Sequence, residues 1–153
     1  MTVYFLRHGE ADWPGWDKPD DERPLTKRGK KEMRRVARFL CELEIAPSLI
    51  LSSPLPRAWQ TAEIVAEYLD VPLREESALG KDFNAAKFAT ILRRNPVAEL
   101  MIVGHEPDFS AVIQALTGGD VKLAKAGIAR VDLDDGGTAG RLIWLVPPKV
   151  SAI

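Results

Sequence analysis

The chain has 153 residues, of which 46% are hydrophobic and 28% charged, a composition typical of a single globular domain. A formal net charge of −1 argues against a broad basic surface for nucleic acid or for an anionic membrane. Because it has one cysteine, no secretory signal and no apolar run of membrane-spanning length, the sequence predicts a soluble, cytoplasmic protein without an intrachain disulfide.

The first elements predicted along the chain are a strand, a long loop and a helix. The β-branched and aromatic run Thr2–Leu6 predicts a buried strand. A loop rich in Asp, Pro and Trp follows, from Gly9 to Pro24. Thr26 is a suitable N-cap for a helix over about Lys27–Glu44, where apolar residues recur at helical spacing.

Strands and helices are predicted to alternate over the rest of the chain. In chain order they are a strand at Leu49–Leu51, a helix from Pro56 to Leu69, a strand at Val71–Arg74, a helix capped by Asn84 that ends at Arg94, a strand at Leu100–Val103, a helix from Pro107 to Leu116, and a hairpin of Ile128–Leu133 with Arg141–Val146. This alternation predicts an α/β fold: a three-layer sandwich with a mostly parallel sheet between helices, in one domain spanning residues 1–153.

Three of the predicted buried strands end in polar residues suited to phosphate chemistry. The first ends in Arg7–Glu10, and the second in Ser52–Pro54, with Arg57 in the first turn of the next helix. The strand at Leu100–Val103 ends in Gly104–Pro107, which contains the other histidine of the chain. Because ligands of open α/β sheets bind at the carboxyl ends of the strands, we expect these side chains to share one crevice.

The residue types in this crevice match the needs of phosphoryl transfer. A neutral imidazole such as that of His8 is a competent nucleophile, and the phosphoramidate it forms is labile. Arg7 and Arg57 offer planar, permanently charged forks that fit phosphate oxygens. Gly9 would let the backbone approach a phosphate without a Cβ in the way. Taken singly, His105 could be an ordinary strand-end residue and Arg57 a surface residue, but their coincidence favours a catalytic site.

The same residues carry a resemblance to the histidine phosphatase superfamily, also called the phosphoglycerate-mutase-like family. Four ordered and correctly spaced motifs carry it: Leu6–Glu10; Pro24–Thr26 with Gly29; Ser52–Leu55 with Arg57, Ala58, Gln60 and Thr61; and Val103–Glu106. The resemblance implies that His8 is the phosphorylated nucleophile and that Arg7, Arg57 and His105 complete the phosphate pocket. It also implies a mechanism that needs no cofactor and no metal. The short chain and the terminal hairpin look most like the phosphohistidine phosphatases of the SixA type.

The sequence departs from the family pattern at two places. Pro14 stands where many members have an asparagine, and Leu79–Asp82 is a poor match to the segment that usually supplies the acidic proton donor. Asp82 or Glu106 could serve as that donor, but spacing selects neither. An alkoxide leaving group needs a proton, whereas an imidazole already protonated on its other nitrogen does not. The poor match therefore favours phosphohistidine on a protein, such as a histidine-containing phosphotransfer protein, as the substrate.

Two other functions stay open on the sequence alone. One is a small-molecule phosphomonoesterase of the same superfamily, and the other is a phospho-ligand binding module that does not turn over. The acidic residues of Asp17–Glu22 form a solvated loop more readily than a metal site. Trp13 and Trp16, just after the predicted nucleophile, could either anchor a protein partner or pack beneath the loop.

Overall fold

The computed structural model describes residues 1–153 and has a six-stranded sheet at its centre. The strands are β1 Thr2–Arg7, β2 Leu49–Ser52, β3 Leu73–Glu75, β4 Glu99–Gly104, β5 Ile128–Leu133 and β6 Gly140–Val146. Their order in the sheet is β3-β2-β4-β1-β5-β6. The pairs among β3, β2, β4 and β1 are parallel, whereas β5 and β6 pair antiparallel. The predicted α/β fold with a mostly parallel sheet and a terminal hairpin is confirmed.

Four helices cover the two faces of the sheet. They are α1 Lys27–Glu42, α2 Pro56–Leu69, α3 Ala85–Arg94 and α4 Asp108–Thr117, and three short 3₁₀ turns lie at Asp20–Glu22, Ser77–Leu79 and Pro148–Ala152. Tyr4 and Leu6 of β1 join the core cluster that includes α1 and α2, while Val3 and Phe5 join the cluster that includes α3 and α4. Successive side chains of a strand point to opposite faces, so β1 is buried on both sides and three layers result. None of the helices combines the length and the apolar character needed to cross a membrane.

The two predicted N-caps form as expected. Thr26 Oγ1 accepts the N–H of Gly29, and Asn84 Oδ1 accepts the N–H of Lys87. The start of α1 also packs tightly against the segment after β1, since a Cβ on Gly29 would lie 2.2 Å from the carbonyl oxygen of Glu10. The Thr26 hydroxyl donates to a Glu10 carboxylate oxygen at 2.6 Å. These contacts fix the chain that leaves the end of β1.

The structure corrects three predicted boundaries. Helix α1 ends at Glu42, and Glu44, predicted as its last residue, has a left-handed backbone with φ of 56°. Asp70 is also left-handed and caps α2, and the N–H of Val71 returns to the Ala66 carbonyl, so β3 begins only at Leu73. Helix α4 begins at Asp108, because Pro107 is its N-cap.

Candidate active site

The predicted crevice lies at the carboxyl ends of β2, β4 and β1, which are neighbours in the sheet. Backbone hydrogen bonds continue just past the strands and hold their ends together. The His8 N–H donates to the Gly104 carbonyl at 3.1 Å, and the Ser53 N–H donates to the Val103 carbonyl at 3.0 Å. The rings of His8 and His105 are consequently neighbours, with centroids 5.3 Å apart.

The His8 ring is held with one particular nitrogen available for reaction. Its Nδ1 lies 2.7 Å from the Gly9 carbonyl oxygen, and a carbonyl only accepts, so Nδ1 carries the ring proton. Burial lowers the pKa of His8 to about 3, outweighing the Gly9 hydrogen bond that raises it, and the charges of His105, Arg57 and Arg7 lower it further. The imidazole is therefore neutral near neutral pH, with the lone pair of Nε2 free to attack an electrophile.

Gly9, the predicted point of close approach to a phosphate, makes contacts within the protein. Its N–H donates to Thr61 Oγ1 at 3.1 Å, and the Thr61 hydroxyl donates to the Arg57 carbonyl at 2.8 Å. A Cβ on Gly9 would lie 2.9 Å from Met33 Cγ and 3.3 Å from Leu25 Cδ2. Because Gly9 has no side chain, the loop after His8 can pack against Met33 and Leu25. The Gly9 amide ties this loop to helix α2, so its N–H is already engaged within the protein.

His105 is positioned by a buried hydroxyl from the neighbouring strand end. Its Nε2 lies 2.8 Å from Ser53 Oγ, which also accepts the Leu55 N–H at 3.2 Å. Burial, followed by the charge of Arg57, lowers the pKa of His105 to about 4, so this ring is neutral as well. When the Ser53 hydroxyl donates to Nε2, the proton of the neutral ring is on Nδ1. That nitrogen is buried and has no hydrogen-bond partner.

The two arginines also keep unpaired donors at the site. Arg7 donates through one terminal nitrogen to the Leu123 carbonyl at 3.0 Å, and Arg57 donates to the Asp20 carbonyl at 3.1 Å. The Nε atoms of both guanidinium groups are buried without a partner. Burial lowers the pKa of both arginines, which still stay charged at neutral pH.

Three buried nitrogens without partners therefore belong to the predicted phosphate pocket: Arg7 Nε, Arg57 Nε and His105 Nδ1. A buried donor without an acceptor costs about 1–3 kcal/mol, so native structures keep few of them. All three belong to side chains close enough to His8 to lower its pKa, and a ligand that supplies several acceptor oxygens would satisfy them. A tetrahedral oxyanion such as phosphate has that geometry.

A cavity of about 440 Å³, which we call the mouth of the pocket, lies beside Arg57 and His105. Its lining includes both predicted proton donors, Asp82 and Glu106, together with Arg57 and His105. Glu106 accepts the N–H of Ser110 at 2.7 Å through one carboxylate oxygen and the Ser110 hydroxyl through the other. Both oxygens of Glu106 thus act as acceptors at the start of α4, while Asp82 is exposed.

Asp108 lines the same mouth, although no motif in the sequence pointed to it. Burial raises the pKa of its carboxyl group, and the nearby charges of Asp82 and Glu106 raise it further, although a backbone hydrogen bond from Phe83 opposes the change. The only sequence signal was its place three residues after His105, which any surface residue at a helix start could share.

The acidic loop is held by ion pairs with arginine and lysine. Asp20 accepts from Arg23 Nε at 2.8 Å and lies 3.7 Å from Arg57 Nη2, and Asp21 pairs with Lys81 at 2.6 Å. The structure brings together no group of three or more His, Cys, Asp or Glu side chains arranged to hold a metal ion.

Because the chain has only two histidines, their titration can be read directly by NMR. Burial disfavours the imidazolium, so we expect the chemical shifts of both ring Cε1–H signals to stay constant above about pH 5. The midpoints should lie near pH 4 for His105 and near pH 3 for His8. In urea both should titrate near 6.5, the value of an unperturbed histidine. A midpoint near 6.5 for either ring in the native protein would mean that the ring is open to solvent.

Comparisons with known proteins agree with this geometry. The sequence profile described as "Histidine phosphatase superfamily (branch 1)" matches residues 3–87. The phosphohistidine phosphatase SixA of Escherichia coli is 30% identical, over 97% of this chain and 94% of its own. A solved structure of SixA complexed with tungstate has a TM-score of 0.88 at 28% identity, covering 98% of this chain and 99% of that one. A structure described as a putative SixA from Agrobacterium tumefaciens has a TM-score of 0.82 at 26% identity, covering 96% and 97%. The chain belongs to the histidine phosphatase superfamily and is a phosphoryl hydrolase.

Proposed function

We propose that this chain, as one domain spanning residues 1–153, hydrolyses phosphohistidine on a protein through a phospho-His8 intermediate. The observation that carries the proposal is the set of three unpartnered buried nitrogens beside a neutral His8. Preorganised donors of this kind stabilise the charge that develops on the peripheral oxygens of a transferred phosphoryl group. A module that only binds phosphate would not need a neutral imidazole with a free Nε2.

The reaction proceeds in two displacements. In the first, His8 Nε2 forms a bond to phosphorus while the bond from phosphorus to the substrate imidazole breaks. The substrate imidazole leaves as a neutral ring when its other nitrogen already carries a proton. In the second, water attacks phospho-His8, the P–Nε2 bond breaks, the water proton goes to the released phosphate, and the neutral ring is restored. Arg7, Arg57 and His105 stabilise the phosphoryl oxygens in both steps.

The arrangement of the carboxyl groups at the mouth of the pocket supports phosphohistidine, rather than an alkyl phosphate, as the substrate. Both oxygens of Glu106 accept hydrogen bonds from Ser110, so this residue is engaged at the helix start. Asp82 is exposed and lies on a left-handed turn with φ of 59°. An alkyl phosphate requires a proton for its leaving oxygen, whereas a protonated imidazole leaves without one. The name of the Escherichia coli relative, a phosphohistidine phosphatase, points to the same substrate class.

One observation favours a second candidate, a small-molecule phosphomonoesterase. Asp108 lies in the mouth of the pocket with its pKa raised by burial, as a general acid would require. In that function Asp108 would protonate the leaving alkoxide. The two candidates therefore differ in whether turnover depends on the Asp108 carboxyl group.

The deciding experiment compares leaving groups. We expect kcat/KM on a phosphorylated histidine phosphotransfer domain to exceed that on an alkyl phosphate by about 10³-fold or more, and the rate to fall steeply as leaving-group basicity rises across aryl and alkyl phosphates. Asp108→Asn, Glu106→Gln and Asp82→Asn should each change phosphohistidine turnover by less than about tenfold, short of the loss typical for a general acid. Comparable values for the two substrates, with a large loss in Asp108→Asn, would identify the phosphomonoesterase instead.

We further propose that the protein works in the cytoplasm on a phosphorylated histidine-containing protein. The single cysteine suits a reducing compartment. The net charge of −1 gives no broad cationic surface for nucleic acid. Fractionation of cells that express a tagged chain tests the location.

A further inference from the structure

Residues 12–22, which we call the tryptophan loop, form one wall of the mouth of the pocket. Asp20 and Asp21 of this loop line the mouth, and the Asp20 carbonyl accepts a hydrogen bond from Arg57. The loop is thus in direct contact with the phosphate-binding machinery. A protein that places a phosphohistidine in the pocket must pass close to this wall.

The two tryptophans of the loop are held by bonds within their own segment. Trp13 Nε1 donates to the Pro24 carbonyl at 2.8 Å, and Trp16 Nε1 donates to the Pro19 carbonyl at 3.1 Å. The Trp16 N–H also bonds to the Trp13 carbonyl, and the two ring centroids lie 6.2 Å apart. With both indole N–H groups satisfied, the rings need no further polar partner, and their orientation is fixed before any binding event.

The ring of Trp13 is open to solvent despite this fixed position. Trp13 is 38% exposed, so it does not pack beneath the loop as one interpretation of the sequence allowed. Aromatic side chains held rigidly at a surface lose little entropy on binding, and tryptophan is enriched among the residues that dominate protein interfaces. The pair therefore forms a preorganised apolar platform beside the pocket.

The charges around the platform select the kind of partner. The tryptophan loop carries five carboxylates and one lysine. Asp12, Asp20 and Asp21 are paired with cations of the chain, whereas Asp17 and Glu22 make no ion pair. Lys18 Nζ lies 5.7 Å from the centroid of the Trp16 ring, so one ring of the platform already holds a cation over its face.

We propose that the tryptophan loop is the docking surface for the phosphorylated protein, and that this protein presents arginine or lysine beside its phosphohistidine. The partner's cationic side chain would stack on the open Trp13 ring and be attracted by Asp17 and Glu22. This inference rests on the proposed function and adds the chemistry that recognises the substrate outside the phosphate pocket.

The proposal is tested with two synthetic phosphohistidine peptides. They differ only in the residues that flank the phosphohistidine, which are arginine in one peptide and glutamate in the other. For the wild type we expect kcat/KM to be at least about tenfold higher on the arginine peptide. Trp13→Ala with Trp16→Ala should lower that value by about tenfold, mainly through KM, and leave p-nitrophenyl phosphate turnover unchanged. Ile143→Ala, which truncates an apolar side chain of 42% exposure on β6, is the matched control and should change nothing.

A second variant tests the charges without touching the indoles. Asp17→Lys with Glu22→Lys should abolish or reverse the preference for the arginine peptide, and added salt should reduce the preference of the wild type. Two results would contradict the docking proposal and leave the proposed function in place. One is equal wild-type turnover of the two peptides, and the other is a loss of p-nitrophenyl phosphate activity in the tryptophan variant as large as its loss on the arginine peptide. A wild type that cleaves p-nitrophenyl phosphate but neither peptide would overturn the proposed function, and the docking surface with it.

Discussion

Replacing His8 with alanine is expected to reduce kcat by about 10⁴-fold or more, because no other side chain is placed to accept the phosphoryl group. His105 is the only other imidazole, and its Nε2 is engaged with Ser53. The variant should fold, because His8 belongs to neither core cluster and its only side-chain hydrogen bond, from Nδ1 to the Gly9 carbonyl, is worth about 1 kcal/mol. Thermal unfolding and single-turnover kinetics measure the two effects separately.

The position of the phosphoryl group gives a sharper test of the same assignment. Because Nδ1 of His8 is bonded to the Gly9 carbonyl, the wild type quenched during turnover should carry phosphate on Nε2. Phosphorus NMR distinguishes the two ring positions, and His105→Ala, which keeps the nucleophile, should still form the same adduct. More than a tenth of wild-type activity in folded His8→Ala, or phosphate found on His105, would contradict the role given to His8.

The parts of the fold that the sequence predicted well are those governed by local chemistry. Thr26 and Asn84 cap helices through side-chain oxygens that accept an N–H three residues later, a relation visible in the sequence itself. Both ends of α2 also agree with the prediction. The C-terminal end of α1 and the start of β3 do not agree, because the chain reverses at Glu44 and Asp70 in left-handed conformations without the glycine that usually marks such a reversal.

The candidate site shows a similar division. Parallel strands place their carboxyl ends at one edge of the sheet, so the sequence alone predicts that His8, Arg57 and His105 lie close together. The hydrogen-bond partners of these side chains could not be predicted. Arg57, for example, donates to the main-chain carbonyl of Asp20, 37 residues away, and a residue of any type offers such a carbonyl. Asp108 was missed for a related reason: its raised pKa arises from burial, which depends on tertiary packing rather than on neighbours in sequence.

Replacing Arg57 with alanine is expected to lower kcat/KM by about 10³-fold, the upper end of the loss found when one preorganised donor to a transition-state oxygen is removed. Arg57→Lys should recover only about tenfold, since an ammonium group supplies charge but not the planar fork that fits two phosphate oxygens. Inhibition by vanadate or tungstate should weaken in parallel, because we expect these tetrahedral oxyanions to bind to the same donors as a phosphoryl group. Steady-state kinetics and inhibition constants provide the measurement.

Two further variants separate the pocket from general charge effects. Arg38, on the outer face of α1 near the Tyr68 ring, is the matched control, and Arg38→Lys should leave both activity and vanadate inhibition unchanged. Asp20→Asn removes a carboxylate 3.7 Å from Arg57 while keeping the carbonyl contact, so it should tighten vanadate inhibition by about threefold to tenfold as competition for the guanidinium falls. If Arg57→Lys were fully active and fully sensitive to vanadate, Arg57 would not bind the phosphoryl oxygens. The phosphate pocket would then have to be built from Arg7 and His105 alone.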